Sequence, residues 1–307
     1  MNRTLTLTGM ESPTGKRSDL IPVTVIMPVK NEACHVSRCL QALGGFSEVF
    51  VVDSQSSDET AEIAAKHGAR VVQFFYQGGW PKKRQWALDA LPIANDWVLL
   101  LDADEIVTAD LADEIKRAIE ASSFDGYWLR LNLTFLGGEL RHGDASFWKL
   151  SLFRRGLGKF ECRLREQDLS MADIEVHEHV VVRGRCGKLR KALHHINVDS
   201  LSRYIRKHDE YSNWESHVLL GDEASGGLSP TLLGSQAQRR RWVKLALYRV
   251  PGSPLFFFFY RYLFRLGFLD GVPGLIYCVF QAIHLFQIKA KIYEYKQNSR
   301  ATRDVPH

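Results

Sequence analysis

Between residues 23 and 108 the chain alternates, four times over, between a short β-rich run and a stretch suited to a helix. Val23–Pro28 precedes a helical stretch over about 31–43, closed by Gly44-Gly45. Val49–Asp53 precedes Ser57-Asp58-Glu59-Thr60, which opens a helix stopping at Gly68. Arg70–Phe75 leads to a helix over about 81–91, and Trp97–Leu101 leads to one beginning near Thr108. Short apolar runs of this kind read as buried strands rather than core helices. Their alternation with helices predicts an α/β fold, a mostly parallel sheet covered on both faces. Ligands of such sheets bind beyond the carboxyl ends of the strands. Three polar clusters fall at those ends: Lys30-Asn31-Glu32, Asp53-Ser54 and Asp102-Ala103-Asp104.

The last cluster carries the sharpest chemistry. Along an extended strand, side chains alternate, which sends Asp102 and Asp104 to the same side. Two adjacent carboxylates repel unless a cation lies between them or one takes up a proton. Oxygen ligands suit a hard ion such as Mg²⁺ or Mn²⁺, and such ions partner phosphates. A solvated acidic turn ahead of a helix is the plainer alternative. Lys82-Lys83-Arg84 at a helix start likewise reads as a phosphate contact, aided by the helix N-terminus, or as an exposed basic turn. No G-x-G-x-x-G follows the first run and no G-x-x-x-x-G-K-[ST] is present, which argues against a dehydrogenase or a P-loop nucleotidase.

Taken together, Pro28-Val29-Lys30-Asn31-Glu32, Val52–Thr60 and Asp102-Ala103-Asp104-Glu105 resemble the ordered motifs of the inverting family 2 glycosyltransferases of GT-A fold. Within that family the chain is most similar to enzymes that build lipopolysaccharide core and other envelope polysaccharides. The resemblance covers roughly residues 21–180. It implies that Pro28, Asn31, Glu32 and Asp53 hold the base and ribose of a nucleotide-sugar, a UDP-sugar by the same resemblance. It also implies that Lys83 and Arg84 lie near the phosphates. Asp102, Ala103 and Asp104 then meet the ribose and a diphosphate bound to Mg²⁺ or Mn²⁺. One segment departs from the pattern: Gly78-Gly79-Trp80-Pro81-Lys82-Lys83-Arg84-Gln85 has Gln85 in place of the usual Asn, and Trp80 adds bulk. The glycine- and arginine-rich first loop of a sugar nucleotidyltransferase is missing.

Inverting transfer needs a base for the acceptor hydroxyl. Ile174–Val182 alternates like a strand, so His177 and His179 share one face while Glu178 points with Val176 and Val180. The resemblance assigns Glu178 as the base and His177 as a neighbour of the diphosphate or metal. Asp144, in Arg141-His142-Gly143-Asp144, is the second candidate base. The aromatics Tyr127, Trp128, Phe135, Phe147, Trp148 and Phe160 serve either as core or as sugar-stacking surfaces. Arg154 and Arg155, at a strand end, are further candidates for phosphate.

Charge divides the chain. The net charge is +5, yet residues 239–307 hold 12 Lys/Arg against 3 Asp/Glu, or +9, leaving −4 for residues 1–238. The basic part is also the most apolar, with four consecutive phenylalanines at 256–259 and an apolar run from Leu275 to Ile288 interrupted by Gln281, His284 and Gln287. Neither run reaches the ~20 nearly uninterrupted apolar residues of a comfortable membrane span. Aromatics mixed with Lys and Arg suit amphipathic helices at the surface of an anionic membrane; a homodimer contact is the alternative. No nucleic-acid motif accompanies the charge. The expected organisation is a disordered tail (1–20), a GT-A catalytic domain (21–195) and a helix with a flexible linker (196–235). A basic, aromatic amphipathic helical module that associates with the membrane (236–298) and a short tail (299–307) follow. Five cysteines without metal spacing and no secretory signal point to a reducing compartment. The expected function is sugar transfer from a nucleotide-sugar to a lipid-linked or saccharide acceptor at the cytoplasmic face of the membrane. A non-catalytic scaffold of the same fold is the competing expectation.

Overall fold

A computed structural model describes residues 20–162, 173, 178–197, 201–220, 231, 242, 247–248 and 250–303. β1 (Ile21–Val29), α1 (Ala33–Gln41), β2 (Phe46–Asp53), α2 (Thr60–Lys66), β3 (Arg70–Gln73), α3 (Lys83–Ala90) and β4 (Trp97–Leu100) follow in the expected order. β5 (Glu105–Ile106) precedes α4 (Ala109–Ala121), whose first turn is capped by Thr108, its hydroxyl accepting from the Leu111 N–H at 3.2 Å. Then come β6 (Gly126–Phe135), β7 (Gly138–Leu140), β8 (Phe147–Arg154), β9 (Gly158–Phe160), β10 (Val180–Val182), β11 (Cys186–Asn197) and α5 (Leu201–Leu220). Sheet order is β3-β2-β1-β4-β8-β6-β11-β5. β1 pairs parallel with β2 and β4, and β2 with β3.

The period of two along β1 explains how one strand serves two cores. Val25 and Met27 pack with Val36 and Leu40 of α1 and Leu111 and Ile115 of α4. Ile26 packs on the other face with Phe50, Val52, Leu100 and Ala87 of α3. A strand buried on both faces is apolar almost throughout, as β1 is apart from Thr24, whose hydroxyl donates to the Glu48 carboxylate at 2.6 Å.

β8 enters the sheet against the direction of β4, pairing Trp97 with Arg154 and Leu99 with Leu152. Its first residues therefore reach the carboxyl edge of the parallel strands. Arg154 is left at the opposite edge, stacked over Trp97 at 4.9 Å, and Arg155 bonds the Ile93 carbonyl at 2.7 Å. These two arginines are not at the edge where ligands of such sheets bind.

The chain divides into two compact units. The first holds the described residues up to Thr134, together with Ser146–Phe160, Asp173 and 178–197. The second holds Phe135–Ala145, residues 161–162 and the described residues from Leu201 onward. The expected tail (1–19), most of the Gly/Ser-rich linker and most of the Arg239–Arg249 segment lie outside the described residues.

In the second unit, a helix at Ser253–Phe259 leads through a π-helical turn (Tyr260–Phe264) and a 3-10 turn (Gly267–Asp270) into a long helix, Gly271–Arg303. The Asp270 carboxylate accepts from the Arg141 and His142 N–H groups at 3.1 and 2.9 Å. Gly274 is required where it stands, because a Cβ would lie 2.3 Å from the Gly267 carbonyl. α5 lies along the long helix and runs parallel to it. Tyr204 meets Phe280, His208 meets His284 and His217 meets Tyr295, at ring separations of 5.4, 5.2 and 4.5 Å. Phe135 packs edge-on against Tyr204, which assigns it to this core. Contrary to the sequence expectation, the long helix is long enough, and contains a stretch apolar enough, to cross a membrane by length and composition alone.

Burial holds the His208 pKa below its ordinary 6.5. The unfolded chain therefore takes up this proton more readily, and stability present above pH 6.5 is lost as pH falls below it. Unfolding midpoints measured across that interval are expected to fall more steeply for the native chain than for His208→Phe. Equal slopes would show that His208 is not buried as a neutral ring.

Candidate active site

At the carboxyl ends of β1 and β2, two loops lock together. Asn31 adopts a left-handed backbone (φ 55°), which an asparagine tolerates. Its N–H donates to Ser56 Oγ at 2.8 Å, and its side-chain oxygen accepts from the Ser57 N–H at 2.8 Å. The Glu32 N–H donates to Thr60 Oγ1 at 2.8 Å, and the Glu32 carboxylate lies 2.9 Å from His35 Nδ1. Asp53, 1% exposed, accepts from the Ser56 N–H at 3.1 Å and from Gln73 Nε2 at 2.9 Å. Pro28 is buried opposite Val52 in the parallel register that brings Val29 beside Asp53. The nucleoside residues implied by the resemblance thus share one edge, and Gln73 joins them.

The acidic segment is built differently from the sequence expectation. β4 stops at Leu100, and residues 102–105 form a turn in which the Glu105 N–H donates to the Asp102 carbonyl at 3.0 Å. Strand alternation does not govern a turn. Asp102 meets Arg84 through one oxygen and Lys149 Nζ, at 2.9 Å, through the other. Lys149 also reaches both oxygens of the buried Glu105, at 2.9 and 3.1 Å. Asp104 faces His195 Nε2 at 3.1 Å, because β11 pairs His195 with Glu105 beside it. Ala103 is buried between the two acids in sequence.

The charges tune one another. Burial favours the neutral acid, yet Arg84 and Lys149 hold the Asp102 carboxyl far below the usual range. Burial raises the pKa of Glu105, and the carboxylates of Asp102 and Asp104 add to that. Burial works against an imidazolium at His195, but Asp104, with Glu105 and Asp102 behind it, pushes its pKa up to about 9. At neutral pH the acids are therefore matched by three protein cations.

Lys82-Lys83-Arg84 is not an exposed turn. Lys82 and Lys83 are buried, and each of the three meets a different acid. Lys82 lies 3.7 Å from Glu178, Lys83 lies 3.3 Å from Asp173, and Arg84 pairs with Asp102. Lys83 Nζ also donates to the Val29 carbonyl at 2.8 Å, and burial lowers its pKa against the pull of Asp173. Gln85 spends its amide oxygen on the Phe160 N–H at 2.8 Å. Glu178, the first candidate base, is buried behind Lys82. Asp144 belongs to the second unit and pairs there with Arg265. His177 lies outside the described residues, as do 174–176, so the strand expected from residue 174 is described only over Val180–Val182.

Among the described residues no three His, Cys, Asp or Glu side chains are grouped to hold a metal ion. One or two carboxylates suffice for a hard divalent ion that takes its other ligands from phosphates and water. Asp102 and Asp104 fit an ion of that kind, in exchange for contacts now made by Lys149 and His195. Lys149 and His195 escaped sequence reasoning. Lys149 depends on the β8 register, and His195 depends on the pairing of β11 with β5.

The chain matches the family model for glycosyl transferase family 2 over residues 24–171. Residues 24–171 belong to glycosyl transferase family 2. The transferase is 25% identical over 283 residues to an uncharacterised glycosyltransferase of Rickettsia conorii, covering 91% of this chain and 92% of that one. It is 26% identical over 282 residues to the lipopolysaccharide core biosynthesis glycosyltransferase LpsC of Rhizobium meliloti, covering 89% and 93%. Among solved structures it is similar to S. aureus TarS 1–349 in complex with UDP-GlcNAc, with 16% identity, coverage of 90% and 92%, and a TM-score of 0.43.

Removing one member of a buried ion pair strands the other, at a cost of about 3–5 kcal/mol. Lys149→Met in this transferase is expected to lower stability to urea by about 3 kcal/mol, and adding Glu105→Gln to recover part of that loss. A single variant as stable as the native chain would contradict the assigned pairing.

Proposed function

We propose that this transferase moves a sugar, with inversion, from a UDP-sugar to a lipid-linked saccharide at the cytoplasmic face of the membrane during envelope glycan assembly. The observation carrying the donor half is the gathering of Asp53, Asn31, Glu32, Asp102 and Asp104 at one sheet edge. Similarity to LpsC over 89% of the chain supports the acceptor half. The apolar, basic second unit supports the membrane location.

In this reading Asp53 and Glu32 fix the base and ribose, and Asp102 meets the ribose and diphosphate. A bound Mg²⁺ or Mn²⁺ supplies Lewis-acid stabilisation of the leaving diphosphate. Arg84 and Lys149 contribute fixed positive charge beside it. The acceptor oxygen attacks the anomeric carbon from the face opposite the diphosphate. The bond from that carbon to the phosphate oxygen breaks, and UDP departs with the bonding pair. Glu178, whose carboxylate lies 3.7 Å from Lys82 Nζ, takes the acceptor proton. His177 is proposed beside the diphosphate by resemblance alone.

Calorimetric titration with UDP, GDP and dTDP, with and without Mn²⁺, tests the donor site. UDP binding that requires Mn²⁺ is expected, weakened roughly tenfold or more by Asp104→Asn. Failure of the folded protein to bind any of the three would refute the reading. Glu178→Gln is expected to lower turnover about 10²- to 10⁴-fold while leaving UDP affinity intact. If turnover falls by less than about a hundredfold, the lower bound of general-base effects, the base lies elsewhere, and Asp144→Asn is the next measurement.

A further inference from the structure

The polar residues interrupting the long helix Gly271–Arg303 turn toward its own unit. Gln281 accepts from Arg261 at 3.2 Å and donates to the Tyr204 hydroxyl at 3.2 Å. His284 packs on His208, and Lys291 bonds Asp209 at 2.6 Å and Ser212 at 2.7 Å. Up to Tyr293 the exposed large side chains are apolar or aromatic (Val272, Leu275, Val279, Ile283, Phe286 and Tyr293), and exposed polar residues follow at Glu294, Lys296, Gln297 and Asn298. The spacing of the apolar and aromatic residues keeps them on one stripe of the helix. Phe286 is 61% exposed on this stripe, whereas Gln281 and His284 are half-buried on the other side of the helix.

Beside the stripe, a groove is lined by Pro254, Leu255, Phe286, Lys289 and Tyr293. Lys289 Nζ donates to the Val250 carbonyl and to Ser253 Oγ, the latter at 3.0 Å. Both of these partners are neutral groups at the edge of an apolar surface. In sequence, residues 239–307 carry a net +9.

Length and composition alone would let this helix cross a bilayer. α5 argues against a crossing. It accompanies the helix from Phe280 to Tyr295 and carries the exposed residues Arg206, Asp209 and Glu210. A crossing helix would draw these charges into hydrocarbon, where they are strongly disfavoured. A helix lying flat leaves α5 on the water side.

We propose that the long helix lies in the plane of an anionic membrane leaflet, with Val272, Leu275, Val279, Ile283 and Phe286 in the acyl layer and Lys289 on a lipid phosphate. The groove beside Lys289 takes the upper part of that lipid's chain. This inference rests on the membrane reading above and adds its topology and lipid class.

The test is flotation of the full chain with phosphatidylcholine vesicles, with and without phosphatidylglycerol. The native protein is expected to bind the anionic vesicles and to be released by alkaline carbonate. Phe286→Glu is expected to weaken binding roughly tenfold or more, with Val279→Ser/Ile283→Ser as a gentler second variant. Lys289→Gln is expected to weaken binding to anionic vesicles alone. Circular dichroism and solution UDP binding unchanged in these variants separate a membrane defect from a folding or donor-site defect. Resistance to carbonate would overturn the proposal in favour of a spanning helix. So would variants that bind like the native chain. Absence of vesicle binding, with a dimer in ultracentrifugation broken by Phe286→Glu, would assign the face to a second copy.

Discussion

The ammonium of Lys149 is the contact on which the candidate site depends. It bridges Asp102 and Glu105 at a place where burial otherwise favours protonating at least one acid. Neither acid could remain ionised there without a counter-charge of matching geometry. The cation comes from β8, the one strand that runs against its neighbour β4 at the middle of the sheet. Topology and electrostatics are therefore one problem. Reversing β8 puts a lysine at the edge where the parallel strands leave two acids.

The second unit solves a complementary problem. Its long helix buries its hydrogen-bonding groups against α5 and Arg261 and turns its hydrocarbon outward. Arg261 itself is buried, sandwiched by Phe257 and Tyr277 and bonded to the Gly143 carbonyl at 2.8 Å. Tyr277, Cys278, Leu285 and Ile288 of the same helix are buried beside these contacts, while the apolar residues of the opposite stripe are exposed.

Much of this was legible in the residues. The alternation of apolar runs and helical stretches located β1 to β4 and α1 to α4, because period and length are local properties. The loops at Asn31, Asp53 and Asp102 followed, since they occupy the ends of those strands. Lys149 was not legible, because nothing local to Phe147–Arg154 says which strand it will pair with or in which direction. His195 was hidden for the same reason, its partner being fixed by the β11–β5 register. The Asp102–Glu105 geometry defeated an argument that assumed an extended strand one residue too long. In the long helix, Gln281 and His284 were read as interruptions of a run, whereas their angle about the axis decides what they interrupt.

Three consecutive basic residues at the start of α3 face three different acids. Lys82 is the extended N-cap and Lys83 and Arg84 open the helix, so one helix start holds acids from two distant stretches of chain, at 102 and at 173–178. Turning or withdrawing that end loosens Glu178, Asp173 and Asp102 in a single movement. Glu178 and Asp102, far apart in sequence, are thereby tied to the same helix start.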